Sequence, residues 1–190
     1  KITLINFRNH KNTNISELRP FVVLTGENGS GKTNLLEAIS LFAPGRGLKN
    51  AQLKEIPFLK NRVGYFEIKL EIRYDTGNII LNRYFSDEIK RKNFITLDEE
   101  KINNSELLNY LNILWVTPIM EKIMLQSNSE KRSFFDRLTF NVNNNHLKNL
   151  SKLQKLLKER LTLLKKVNYE SEWISILESK IAEISFVIIN

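Results

Sequence analysis

The chain has no cysteine, which excludes disulfides and thiolate metal centres. Its two histidines, His10 and His146, are too few for a His-rich metal site. Pro and Gly are sparse, at 4 and 7 of 190 residues, and no repeat or low-complexity linker divides the sequence. No apolar run approaches the roughly 18 residues of a membrane helix. The opening Lys1-Ile2-Thr3-Leu4 is not followed by the apolar core and cleavage site of a signal peptide. These absences lead to the expectation of a cytoplasmic globular chain. No initiator Met is present, and residues 184–189 form an apolar stretch. Both ends therefore read as cut, and a piece of a longer protein is expected.

What is present is ordinary in bulk and uneven in charge. Hydrophobic residues make up 42% and charged residues 26%, enough for one domain or one and a fraction. The formal net charge is +8 and the pI about 9.6. Such a balance favours polyanionic partners, nucleic acid or an anionic membrane surface. The alternative is compositional drift, since Lys, Asn and Ile are all abundant.

The pattern along the chain predicts an α/β organisation. Residues 2–7 are rich in β-branched types and read as a strand. Phe21-Val22-Val23-Leu24-Thr25 is continuously apolar and predicts a strand buried on both faces. Residues 34–42 have helical spacing and stop at Pro44-Gly45. Phe66, Ile68, Leu70 and Ile72 alternate with charged residues, which predicts a half-buried strand. Asp75 to Asn78 is a turn, residues 79–85 return, and residues 94–102 read as a further hairpin. From Asn104 onward helices dominate. The lobes are expected at 1–108, carrying the β layer, and at 109–190, the start of a helical lobe.

The clearest helix is predicted at 147–166. Leu150, Leu153, Leu157, Leu161 and Leu164 fall on one arc, while Lys148, Lys152, Lys155 and Lys166 fall on the other. That basic face is either a DNA contact or a solvated surface.

Gly26-Glu27-Asn28-Gly29-Ser30-Gly31-Lys32-Thr33 matches G-x-x-x-x-G-K-[ST], the P-loop. Glycines let successive N–H groups turn toward phosphate oxygens, and the following helix points its positive end the same way. Lys32 has the charge to neutralise β- and γ-phosphate, and Thr33 has a hydroxyl for Mg2+. A chance match in a chain this long has a probability on the order of one in a hundred. The predicted strand and helix around the loop strengthen the assignment. Guanine specificity is not supported, because no N-K-x-D motif occurs.

Other segments resemble one P-loop family. Leu4-Ile5-Asn6-Phe7-Arg8-Asn9-His10 is similar to the opening of the SMC, Rad50 and RecF ATPases. The run from Gly29 to Ile39, Pro44-Gly45-Arg46-Gly47-Leu48-Lys49, Trp115-Val116-Thr117-Pro118 (similar to a short strand ending in Pro), Ser129 to Arg137 and the helix through Lys158-Glu159-Arg160 resemble RecF in order and spacing. Lys131 and Lys49 stand where that family usually has Arg, and no Gln occurs in residues 113–118 where a Q-loop would be sought.

The resemblance implies an ABC-type ATPase head with an antiparallel β layer and ATP and Mg2+ as cofactors. It further implies an ATP-dependent homodimer, RecO- and RecR-type mediators and single-stranded or gapped DNA and its junctions as partners, and roles in DNA replication, damage repair and the SOS response. Arg8 and Asn9 are implied near the nucleotide. Arg46 is implied at phosphate or DNA, or else as a polar helix-exit residue. The Walker B carboxylates and signature loop of the family belong to a later half, so no catalytic residue is assigned in this chain. Two alternatives stay open: a Rad50- or SMC-type head, disfavoured because the leucine pattern breaks near Val167-Asn168-Tyr169, and a non-hydrolytic ATP-binding module. Arg132 and Asp136 read as a structural ion pair, and the two histidines as ordinary surface residues.

Overall fold

A computed structural model describes residues 1–58, 64–88, 92–165 and 171–189. They form two compact units, Lys1–Thr117 and Pro118–Asn190.

The first unit is built on a six-stranded antiparallel sheet in the order β2-β1-β3-β4-β5-β6. Its strands are β1 (Ile2–Phe7), β2 (His10–Ile15), β3 (Tyr65–Tyr74), β4 (Gly77–Ser86), β5 (Lys92–Leu97) and β6 (Glu100–Ile102). The period-two pattern fixes the register. Leu4 pairs with Ile68, Ile68 with Arg83, and Phe66 with Phe85, so each pair lies on the core face. Phe66 stands edge-on to Phe7 at 5.5 Å and stacks on Phe85 at 5.6 Å. Burying a side chain of that size contributes about 1.5–3 kcal/mol. Helix α1 (Lys32–Ser40) adds Leu35 and Ala38 to the same core, and the short α2 (Asn104–Leu107) adds Leu107. On the opposite face Tyr65, Tyr84 and Phe94 stack in a row, with Lys101 over Phe94.

The chain departs from simple alternation at the end of β1. Asn6 takes φ 51°, and both Asn6 and Phe7 are buried. Arg8, at φ 54°, and Asn9 then form the two-residue connection to β2, where Phe7 pairs with His10. A left-handed conformation at a non-glycine residue costs free energy, so the turn needs support from its surroundings.

Two expected strands differ in the structure. Residues 21–25 pair with no strand, and Phe21 and Val23 are 95% and 84% exposed. A strand buried on both faces needs hydrogen-bonding neighbours and a layer on each side. The six described strands pair with one another, apart from a single bridge from Phe7 to Pro57, and supply neither. Residues 115–117 are likewise not a strand, and Pro118 opens a 3-10 segment, Pro118–Leu125.

In the second unit, α3 (Asn128–Phe140), α4 (Asn144–Leu164) and α5 (Ser171–Ile189) follow. Helix α3 opens on a capping box, in which the Ser127 side chain accepts from the Glu130 N–H and Glu130 accepts from the Ser127 N–H. Helix α4 buries Leu150 and Leu153, and α5 buries Ile174, Leu177 and Ile184. Leu157 and Leu161, expected on the buried arc, are 46% and 54% exposed. Packing with α5 covers only part of that arc. Arg160 donates twice to Glu178 Oε1, tying α4 to α5. Lys166 and the expected break at 167–169 lie outside the described residues.

Candidate nucleotide-binding site

The P-loop joins an exposed segment to the start of α1, and its conformation depends on glycine. Gly26, Gly29 and Gly31 take φ 146°, 85° and 103°, values that side chains disfavour. Residues 26–30 are exposed, whereas Gly31 is buried. Gly31 is the N-cap of α1 and provides no side-chain cap, so the first N–H groups of the helix lack that internal partner. Such a terminus attracts anions. Lys32 Nζ donates to the carbonyls of Gly26 and Glu27, each at 2.7 Å. Its ammonium therefore lies within the curl of the loop, where a phosphate would meet it. Thr33 is exposed beside it.

The β1–β2 turn lies against this loop. Asn9 Nδ2 donates to Gly29 O at 3.3 Å and accepts at Oδ1 from Asn34 Nδ2 at 2.8 Å. Arg8, implied by resemblance to be near the nucleotide, forks onto the carboxylate of Glu37. Its Nε donates to Oε2 at 3.0 Å and its Nη2 to Oε1 at 2.5 Å. Its Nη1 donates to Glu55 O at 2.9 Å. Glu37 is 1% exposed and also receives Lys49 at 3.2 Å. Lys49 in turn donates to Asn34 Oδ1 at 2.6 Å. Arg8, Glu37, Lys49, Asn34 and Asn9 thus form one charged network joining the turn, α1 and the segment after it.

Several of these residues carried no signal in the sequence. Glu37 lies within an ordinary amphipathic helix, and only its burial marks it. His10, expected as a surface residue, is half-buried, with Nε2 3.2 Å from Gly31 O. His146 is also no surface residue. It is buried, and its Nε2 meets Asp136 Oδ1 at 3.0 Å, closer than Arg132 at 3.9 Å. Arg46 is exposed between Gly45 and Gly47, which take φ 103° and 70°. Lys148, Lys152 and Lys155 are exposed on α4, in the second unit.

The residues fit a bound triphosphate. An uncapped helix terminus, a lysine and a glycine curl supply the donors a polyphosphate needs. Thr33 supplies one oxygen for Mg2+, an ion that usually keeps waters and substrate phosphates as its other ligands. Among the described residues no cluster of three or more His, Cys, Asp or Glu could hold a metal.

The family model described as "AAA domain" matches residues 1–185. The chain is 38% identical over 189 residues to the DNA replication and repair protein RecF of Rickettsia prowazekii (strain Madrid E), covering 100% of this chain and 52% of that protein. It is likewise 38% identical over 192 residues to the protein of that name from Rickettsia typhi (strain ATCC VR-144 / Wilmington), again covering 52% of it. The chain thus spans about half the length of the curated relatives it matches. Among solved structures, the recombination mediator protein RecF with ATP, from the RecFOR pathway, superposes with a TM-score of 0.87 at 25% identity. That match covers 99% of this chain and 51% of the other. An SMC ATPase studied for ATP-driven dimerization shares the fold, with a TM-score of 0.54 at 21% identity over 72% of this chain and 96% of its own.

Proposed function

The chain belongs to the AAA domain family, and on its alignment with RecF proteins over about half their length we propose that it is the ATP-binding portion of a RecF-type DNA repair ATPase. The observation that carries this reading is the glycine curl of residues 26–31, with Lys32 inside it, at the uncapped start of α1. In this reading Gly26 to Thr33 hold the phosphates of ATP, Lys32 offsets β- and γ-phosphate charge, and Thr33 ligates Mg2+. Arg8 and Asn9 brace the loop from the β1–β2 turn. Residues 1–108 act as the ATP-binding lobe, and residues 109–190 begin the helical lobe.

ATP then biases the whole protein between monomer and dimer through contacts that only the dimer makes. The dimer acts in DNA replication and recombinational repair. It binds single-stranded or gapped DNA and, with RecO- and RecR-type mediators, helps place recombinase. Arg46 and the exposed Lys148, Lys152 and Lys155 are the DNA-contact candidates, supported by the net charge of +8. The direct test of the nucleotide assignment is calorimetric titration of the chain with MgATP. Saturable binding is expected, and its absence would remove the basis of the reading. The lysine face is tested in the whole protein by changing Lys148, Lys152 and Lys155 to Glu. A large drop in DNA affinity and a shallower salt dependence are expected. Unchanged affinity would sink that assignment while leaving the ATP site standing.

A further inference from the structure

We infer that His10 is a positioning residue for the phosphate cradle, holding the Gly31 carbonyl so that the N–H of the same peptide unit faces outward from the start of α1. This rests on the reading that residues 26–33 hold a nucleoside triphosphate. The carbonyl of Gly31 lies 3.2 Å from His10 Nε2 and accepts from Leu35 N at 3.0 Å. A carbonyl only accepts, so Nε2 carries the hydrogen. The other ring nitrogen, Nδ1, lies 3.0 Å from Thr13 Oγ1 on the same strand. In the neutral ring it accepts from that hydroxyl. The imidazole is thus held at both nitrogens, with its plane fixed by the β1–β2 hairpin.

The consequence follows from peptide geometry. Among the described residues no peptide is cis, and in a planar trans peptide C=O and N–H point in opposite directions. Holding the Gly31 carbonyl on the helix and hairpin side turns the Lys32 N–H out of the helix start. That is where an anion binds a helix terminus. Asn9 supports the same arrangement two peptides earlier, through Gly29 O.

The clamp also accounts for glycine at position 31. A Cβ there would lie 2.6 Å from His10 Nε2 and 2.8 Å from the Asn9 amide atoms. Real Cβ atoms do not approach so closely, and φ 103° disfavours a side chain independently. Position 31 is therefore constrained by the hairpin behind the loop as well as by a ligand in front of it.

The experiment measures MgATP affinity of the full chain as wild type, His10→Ala, His10→Gln and Thr13→Val, with melting of each in the absence of nucleotide. One hydrogen bond contributes roughly 1 kcal/mol, so His10→Ala is expected to weaken binding about fivefold. Gln offers an N–H at similar reach and should return affinity to within about twofold of wild type. Thr13→Val should weaken binding about twofold to threefold with melting unchanged. Affinity of His10→Ala equal to wild type would overturn the inference, as would His10→Gln binding as weakly as His10→Ala. If His10→Ala does not fold, Thr13→Val decides, and wild-type affinity there overturns the inference. A wild-type chain that fails to bind MgATP overturns the nucleotide reading and this inference together. Wild-type binding with no effect of the substitutions overturns this inference alone.

Discussion

Replacing Arg8 with Ala should destabilise the first unit more than a partly exposed arginine would suggest. The reason lies in its partner. The Arg8 side chain is 21% exposed, but that of Glu37 is 1% exposed. Removing Arg8 deletes its two bonds to that carboxylate and a third to Glu55 O, and leaves the carboxylate in the core with Lys49, 3.2 Å away and 38% exposed. Breaking a buried pair by removing one partner costs about 3–5 kcal/mol. The remaining lysine places the expected loss near the lower end, about 3 kcal/mol. For a unit of this size that corresponds to a fall in melting temperature of roughly 10 °C.

The same argument predicts partial rescue. Glu37→Gln in the Arg8→Ala background removes the stranded charge, so the double variant should be more stable than Arg8→Ala by about 1 kcal/mol or more. Urea denaturation of wild type, both single variants and the double variant measures this. A double variant no more stable than Arg8→Ala would refute the reasoning, because burial of an unpaired carboxylate could then not be the main cost.

Further outcomes follow from other sites. Lys32→Ala should weaken MgATP binding about a hundredfold, as loss of a charge-assisted phosphate contact worth roughly 3 kcal/mol, while melting without nucleotide is unchanged; a binding titration beside a melt checks both. Arg83 is buried on the core face, its Nε has no hydrogen-bond partner among the described residues, and burial pulls its pKa down to about 10. Arg83→Met should therefore raise stability at neutral pH by on the order of 1–3 kcal/mol. Because the folded-state pKa is the lower one, wild-type stability should also rise as pH climbs above about 10, up to the ordinary arginine value. A destabilised Arg83→Met in urea titrations would show that the guanidinium is compensated. Glu130 has its pKa lowered by the Ser127 side-chain hydrogen bond first, and by the Ser127 backbone. Its contribution is present above the ordinary carboxylate pKa and lost as pH falls below it. Ser127→Ala should move the Glu130 carboxyl back toward its ordinary value, which NMR titration reads directly.

Much of this protein was legible in its residues because the relevant physics is local. Alternation of apolar and charged residues determined β3, and the turn at residues 75–78 determined its pairing with β4, since a hairpin needs only neighbours in sequence. The glycine spacing of residues 26–33 identified the phosphate loop, because its chemistry is written in backbone freedom and one lysine. The resemblance to RecF was likewise carried by short local motifs, and the chain is 38% identical over 189 residues to a RecF relative of which it covers 52%.

What only the tertiary structure decided are the features that require distant residues to meet. Residues 21–25 read as a buried strand, but burial is a property of neighbours, and the described sheet gives them no paired strand and only Leu24 partly packs against the core. Glu37 looked like one more polar helix position until the fold enclosed it and brought Arg8 and Lys49 to its oxygens. His10 carried no motif of its own. A left-handed Arg8 turns the β1–β2 hairpin so that the imidazole reaches the carbonyl of Gly31, 21 residues away. Residue type and spacing specify what a segment can do, whereas desolvation and hydrogen-bond partners arise only when the chain closes on itself.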